Sequence, residues 1–284
     1  MLAERVRAAR ASGALQPIET VEAPLEDAGV RFVVRSVSSL ARKPRAAARA
    51  EADPFLPPEP DLTLGALSAT HVAVLNKYPV VERHLLVVTR AFVDQETLLD
   101  RDDCEAIAAC LRGLDGLAFY NGGRDAGASQ SHKHLQLVPL PIGDGPWGVP
   151  MEALFDAWVA TGRAARLPRL PFANAFAPLE EPAVGRADFA DRLLERYQAL
   201  LAACSLVASH DEAANEPQRQ AAPYNLLVTR RWMLVVPRSR ERFGTISVNA
   251  LGFAGSLFVR DDAELRALRE AGPMGVLQAV ARPV

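Results

Sequence analysis

Apolar and polar positions alternate most plainly in VRFVVRSV (30–37), where the period of two predicts a strand. Residues 2–12 space their apolar positions as a charged amphipathic helix does. THVAVLNKYP (70–79) and HLLVVTR (84–90) predict two short strands joined by VVER. Residues 96–114 place Leu98, Leu99, Ile107, Leu111 and Leu114 at near-helical spacing, with Asp100 or Asp102 as cap and Gly113 and Gly116 near the end. LAFYN (117–121) predicts a strand, a glycine-rich turn follows, and KHLQLVPL (133–140) predicts another strand. Residues 141–185 carry many prolines and glycines and read as a crossover. Residues 189–207 form an amphipathic helix and 224–239 a hairpin turning at Arg230 and Arg231. Residues 245–260 give a strand, a loop of small residues and more extended chain. Residues 261–272 give a helix capped by Asp261 or Asp262. Hairpins with segregated helices predict an α+β fold rather than a doubly wound sheet.

The 284 residues suffice for one large domain or two small ones, and 49% hydrophobic with 23% charged residues supports a packed core. A net charge of −2 gives no reason to expect nucleic-acid binding. Three cysteines without CxxC spacing argue against a disulfide framework or a cysteine zinc site; Cys104 and Cys110 read as buried small hydrophobes. The charged N-terminus is no signal peptide, and no stretch of 18 apolar residues exists, so a cytoplasmic protein without membrane association is expected. GxGxxG and GxxxxGK[ST] are both absent, which weighs against dinucleotide-binding and P-loop folds. Residues 41–60 are basic, then proline-rich. They read as an irregular loop, either a solvated connector or one whose Arg42, Lys43 and Arg45 line a phosphate pocket.

The chemistry concentrates in GASQSHKHLQLVPLP (127–141). On a strand, His132, His134, Gln136 and Val138 share one face, while Lys133, Leu135 and Leu137 take the other. Asn121-Gly122-Gly123 and Gly127-Ala128-Ser129 allow a tight backbone that presents N–H groups to an anion. Three readings are open. The residues could be polar positions of an ordinary turn, although three polar side chains on one buried face are costly. His132 and His134 could be metal ligands with His84 as a third. Or one imidazole, neutral near pH 7, attacks phosphorus, a neighbour holds the strand, and an amide binds a non-bridging oxygen.

FYNGGRDAGASQSHKHLQ (119–136) resembles the active-site segment of the H-x-H-x-Q branch of the histidine-triad superfamily, which includes galactose-1-phosphate uridylyltransferases and diadenosine tetraphosphate phosphorylases (ATP adenylyltransferases). LNKYPVVERHLLVVTR (75–90) resembles its nucleotide-binding strand pair. The uridylyltransferase prolines around the histidines are replaced by Ser131 and Lys133. DPFLPPEPDL (53–62), SHKHLQ, YNLLVTRRWMLVVPRS (224–239) and NALGFAGSLFVR (249–260) look like the phosphorylase pattern. One departure is Ala52-Asp53 before Pro54, where that pattern has an asparagine.

The resemblance implies a histidine-triad-like fold of antiparallel sheets with flanking helices, in two related halves. It implies an N-terminal catalytic region, 1–165, and an ATP adenylyltransferase-like region, 166–284. It implies His134 as nucleophile, His132 as the orienting histidine and Gln136 as the phosphoryl-binding amide. Asn121, Gly127 and Ser129 match the phosphate loop, Asn76 the ribose contact, and His84 a structural position. Lys77, Arg238 and Arg240 are phosphate partners or solvated charges on charge alone. The implied reaction is phosphorolysis of diadenosine tetraphosphate to ATP and ADP. The alternative is a sister transferase, uridylyltransferase-like or ADP-sulfate-using. A divalent cation, Mg²⁺, is expected with the nucleotide, no tightly bound cofactor, and a monomer.

Overall fold

In the computed structural model, residues 2–37, 53–179, 187–207 and 218–284 are described. The basic stretch with Arg42, Lys43 and Arg45, together with His210, lies outside them. The first helix, α1, is Leu2–Ala11, followed by β1 (Thr20–Glu22), β2 (Leu25–Asp27) and β3 (Val30–Val37). Next come β4 (Thr63–Ala66), β5 (His71–Leu75), β6 (Leu85–Thr89), α2 (Arg101–Gly113), β7 (Gly116–Gly122) and β8 (His134–Pro139). The remainder holds α3 (Asp156–Val159), β9 (Ala175–Pro178), α4 (Phe189–Ala203), β10 (Tyr224–Val228), β11 (Trp232–Pro237), β12 (Arg242–Phe243) and β13 (Ile246–Ser247). It ends with α5 (Ala250–Phe253), β14 (Ser256–Val259), α6 (Asp262–Ala271) and α7 (Pro273–Val280).

One eight-stranded sheet dominates, in the order β4-β5-β6-β8-β7-β10-β11-β9, and every pair in it is antiparallel. Strands from both sequence regions join in it, because β7 pairs with β10 from Ala118–Val228 to Gly122–Tyr224. A smaller sheet sets β3 against β1, β2 and β14, and β3–β14 is the single parallel pair among the described strands. This is the expected α+β architecture.

The large sheet is covered on both faces. Leu135 and Leu137 of β8 pack with α2 and α4 through Leu111, Leu193 and Tyr197. Val138, Leu117 and Phe119 pack on the other side with Phe253, Leu257 and Leu277. Burying each such Leu or Phe contributes ~1.5–3 kcal/mol against leaving it exposed.

The differences from the sequence reading have local causes. Helix α2 starts at Arg101, capped as expected by Asp100, which closes a reciprocal capping box with Asp103, so Leu98 and Leu99 precede the helix. Strand β9 falls within the predicted crossover: it is a four-residue edge strand ending in Pro178, a position where proline needs no ladder partner. Helix α7 begins with Pro273 at its first turn and buries Met274, Val276, Leu277 and Val280, so it lacks the polar face that marks a surface helix. The small-residue loop within 245–260 contains α5, capped by the Asn249 side chain on Leu251 N. No described helix is long and apolar enough to cross a membrane.

Candidate active site

Strand β8 lies between β6 and β7, so its polar face is walled on both sides. His132, His134 and Gln136 are 2%, 4% and 9% exposed. His134 Nδ1 lies 2.9 Å from the carbonyl oxygen of His132. A carbonyl only accepts, so Nδ1 carries the proton and the neutral ring keeps its lone pair on Nε2. Burial pushes the His134 pKa down, the backbone bond offsets part of that, and nearby His132 lowers it further. The ring is therefore held in the form that can attack an electrophile.

His132 is fixed at both nitrogens. Nδ1 meets Asp53 Oδ2 at 2.6 Å, and Nε2 meets the Thr89 carbonyl oxygen at 2.8 Å and its Oγ1 at 2.9 Å. Asp53 also accepts from Phe55 N at 2.9 Å, and the Phe55 ring packs on both imidazoles, with centroids at 5.6 and 5.4 Å. The residue that departs from the asparagine pattern is thus turned toward His132.

Gln136 is oriented by a chain of bonds from the turn that joins β5 to β6. Tyr78 N donates to Asn76 Oδ1 at 3.1 Å, Asn76 Nδ2 lies 3.1 Å from His84 Nδ1, and His84 Nε2 lies 3.0 Å from Gln136 Oε1. Burial carries the His84 pKa down to about 4, so the ring is neutral and Nε2–H donates. The Gln136 Nε2 hydrogens are left for the open side of the strand.

Asn121, at the end of β7, is 1% exposed. Its Oδ1 accepts from Ala250 N and from Asn225 Nδ2, each at 2.9 Å, which leaves its Nδ2 as a donor. Gly127 turns the loop with φ +94°, and a Cβ there would lie 2.9 Å from Asn249 Cα; only glycine fits both demands. Ser129 is exposed in the same loop. The assembly offers a lone-pair nitrogen flanked by amide donors, which can accept a phosphoryl group.

Residues 1–157 match the Ap4A phosphorylase N-terminal domain, where Ap4A is diadenosine tetraphosphate. Residues 168–283 match the ATP adenylyltransferase C-terminal domain. The chain belongs to the Ap4A phosphorylase/ATP adenylyltransferase family. Diadenosine 5',5'''-P1,P4-tetraphosphate phosphorylase 2 of Saccharomyces cerevisiae is 30% identical over 287 residues, covering 93% of this chain and 87% of the yeast protein. The crystal structure of yeast Ap4A phosphorylase Apa2 superposes with a TM-score of 0.80 at 27% identity, over 99% of this chain and 93% of that one. The complex of the same yeast protein with Ap4A gives 0.79 at 26% identity, over 99% and 96%.

Within this Ap4A phosphorylase-family chain, the structure brings His132, His134, Gln136 and His84 together, and links Asn76 to them. Five of the six ring nitrogens of His84, His132 and His134 already face protein partners, so these imidazoles are not assembled as a metal-ligand set. Lys77 pairs with Glu59 at 2.7 Å, both side chains half-exposed. Arg240 is exposed.

Arg238 corrects the reading from charge. It is 1% exposed, and its guanidinium bonds Asn225 Oδ1 at 2.6 Å and the carbonyls of Ala126, Val280, Arg240 and Glu241 at 2.8–3.3 Å. All its donor nitrogens serve the chain, so it is a strut under the loop at Ala126 rather than an anion ligand.

Lys133, between the histidines, points to the opposite face. Its Nζ meets Asp103 Oδ2 at 2.5 Å and the Leu98 carbonyl at 2.9 Å, while Asp103 Oδ1 meets His71 Nε2 at 3.0 Å. Burial raises the Asp103 carboxyl, but the bonds from His71 and the charge and bond of Lys133 outweigh it and hold the group ionised. This pins β8 to the start of α2. A surface cavity of about 470 Å³ beside Arg31 and Arg35 lies apart from this chemistry; both arginines there are paired, with Asp144 and Glu22. Gln95, Thr89 and Asn225 belong to the site and carry no motif that sequence reading could use.

Proposed function

We propose that the chain catalyses phosphorolysis of diadenosine tetraphosphate to ATP and ADP, reversibly, through AMP carried on His134. The observation that carries this reading is the His134 tautomer: Nδ1–H donates to the His132 carbonyl and leaves Nε2 as nucleophile. Nε2 attacks an α-phosphorus, the bond to the bridging oxygen breaks, and ATP leaves. A phosphate oxygen then attacks the same phosphorus, ADP leaves, and the imidazole is regenerated. His132 orients the His134 ring through its carbonyl. Gln136 donates from Nε2 to a non-bridging oxygen as charge shifts. Asn121, Gly127 and Ser129 cradle the phosphates, Asn76 meets the ribose, and Lys77 contributes charge near the polyphosphate. A divalent cation, Mg²⁺, accompanies the nucleotide and screens its charge. Membership of the Ap4A phosphorylase/ATP adenylyltransferase family and likeness to the yeast phosphorylases support this assignment.

Product analysis with and without phosphate tests it. ATP plus ADP formed only when phosphate is present is expected; ATP plus AMP without phosphate would make the chain a hydrolase. Turnover of UDP-glucose alone, offered beside diadenosine tetraphosphate, would refute the substrate. Labelled substrate without phosphate should leave acid-labile AMP on the protein, absent from His134→Ala.

A further inference from the structure

The ladder between β7 and β8 stops early. Its last Cα partners are Phe119 and Gln136, so continuing the antiparallel register would set Asn121 opposite His134. At that rung the two backbones do not bond to each other. The side chain of Gln95, 2% exposed, stands between them. Gln95 Oε1 accepts from His134 N at 2.8 Å, and Nε2 donates to the carbonyl oxygens of Asn121 at 2.9 Å and His134 at 3.2 Å. One amide thus stands in for a peptide group in the sheet. It joins the nucleophile's backbone to the residue that starts the phosphate loop.

Gln95 is itself held from several sides. Its N donates to the Ser131 carbonyl at 2.7 Å, Tyr120 Oη donates to its carbonyl, and Asp94 bridges to His132 beside it. The inserted amide also explains how the chain leaves the sheet after Asn121, makes the 123–131 loop, and returns at His134 without an unpaired buried peptide at the junction.

We propose that Gln95 is a positioning residue, setting His134 against the phosphate loop by replacing the missing β7–β8 rung. Its effect on rate rests on the function proposed above; its effect on the backbone does not. Removing the amide leaves three buried backbone groups unpaired and lets the strands shift. A displacement of ~1 Å at a nucleophile lowers rate by about 10²-fold.

The test compares wild type with Gln95→Ala and Gln95→Glu. Glu keeps the acceptor for His134 N, but its buried carboxyl offers at most one hydrogen where the amide serves two carbonyl oxygens. Single-turnover transfer of labelled AMP to the protein should fall about 10²-fold in both variants. The dissociation constant for AMP should stay within about threefold. Hydrogen–deuterium exchange should accelerate at least tenfold in a peptide spanning 132–136 and stay unchanged at 72–75 of β5.

Wild-type transfer rates in either folded variant would overturn the proposal, as would unchanged exchange at 132–136. A loss residing wholly in AMP affinity would overturn it too. If Gln95→Ala does not fold, Gln95→Glu decides by the same measures. If wild type itself takes no label, the functional reading has failed, and the exchange measurement alone decides whether Gln95 holds the rung.

Discussion

Lowering the pH acts on one buried imidazole whose partners fix its protonation. His84 accepts at Nδ1 from Asn76 and donates at Nε2 to Gln136. Its folded pKa is about 4, driven down chiefly by burial, whereas an unfolded chain titrates near ~6.5. Below pH ~6.5 the unfolded chain takes up a proton that the folded chain refuses until about pH 4. The stabilisation is therefore complete above ~6.5, declines across that window and is lost below it. The two values lie about 2.5 pH units apart, at ~1.4 kcal/mol each, so His84 accounts for roughly 3.5 kcal/mol of acid sensitivity in full, of which roughly 3 kcal/mol is reached by pH 4.

His84→Asn removes this titration and leaves every other group in place. Urea unfolding of wild type and variant at pH 7, 6, 5 and 4 reads the difference directly. Wild type should lose roughly 3 kcal/mol more than the variant between pH 7 and 4, whichever is the more stable at pH 7. A difference that stays flat with pH would show that His84 is protonated in the fold or titrates normally, and the donor assignment at Gln136 would fall with it.

Other outcomes follow from the same geometry. Gln136→Ala should lower adenylyl transfer by roughly 10²–10³-fold, the scale of one lost transition-state donor, in a single-turnover assay; a loss under tenfold would reduce Gln136 to a packing role. Asp103→Asn leaves the buried Lys133 ammonium without its counter-charge and should lower unfolding free energy by about 3–5 kcal/mol in urea titrations. A loss below about 1 kcal/mol would mean that Lys133 finds water or another acceptor. Arg238→Lys should cost roughly 1–3 kcal/mol in stability, since a lysine cannot reach all the oxygens that Arg238 bonds, while the KM for phosphate stays within about twofold. A large rise in that KM in a folded variant would return Arg238 to the phosphate site.

Much of the frame was legible because its signals are local. The period of two at 30–37 and the hairpin at 224–239 became β3 and the β10–β11 pair. Strand alternation alone separated His132, His134 and Gln136 from Lys133, Leu135 and Leu137. What stayed hidden depends on distant pairing. Gln95 sits in an unremarkable turn, 39 residues before His134. Asn225 becomes meaningful only when β10 lies beside β7, and the same pairing turns Arg238 away from phosphate. Charge could suggest Arg238 as an anion ligand, but only the fold shows that its donors are already taken.

Two side-chain relays explain why the site presents donors. A side-chain amide can flip, so neither Gln136 nor Asn121 has an intrinsic polarity. Each is fixed by a relay that begins with a group unable to reverse. In one, the Tyr78 backbone N–H sets Asn76, Asn76 sets the His84 tautomer, and His84 claims Gln136 Oε1. In the other, the Arg238 guanidinium sets Asn225, which claims Asn121 Oδ1 together with the backbone N–H of Ala250. Both relays consume the oxygens and leave N–H groups over. The site therefore suits an anion and repels a cation at those positions, and among the described residues no lysine or arginine bonds the side chain of His134, Gln136 or Asn121. A nearby fixed cation would stabilise the polyphosphate before and after transfer alike, whereas neutral donors aimed at the transferred group can gain most as its charge moves.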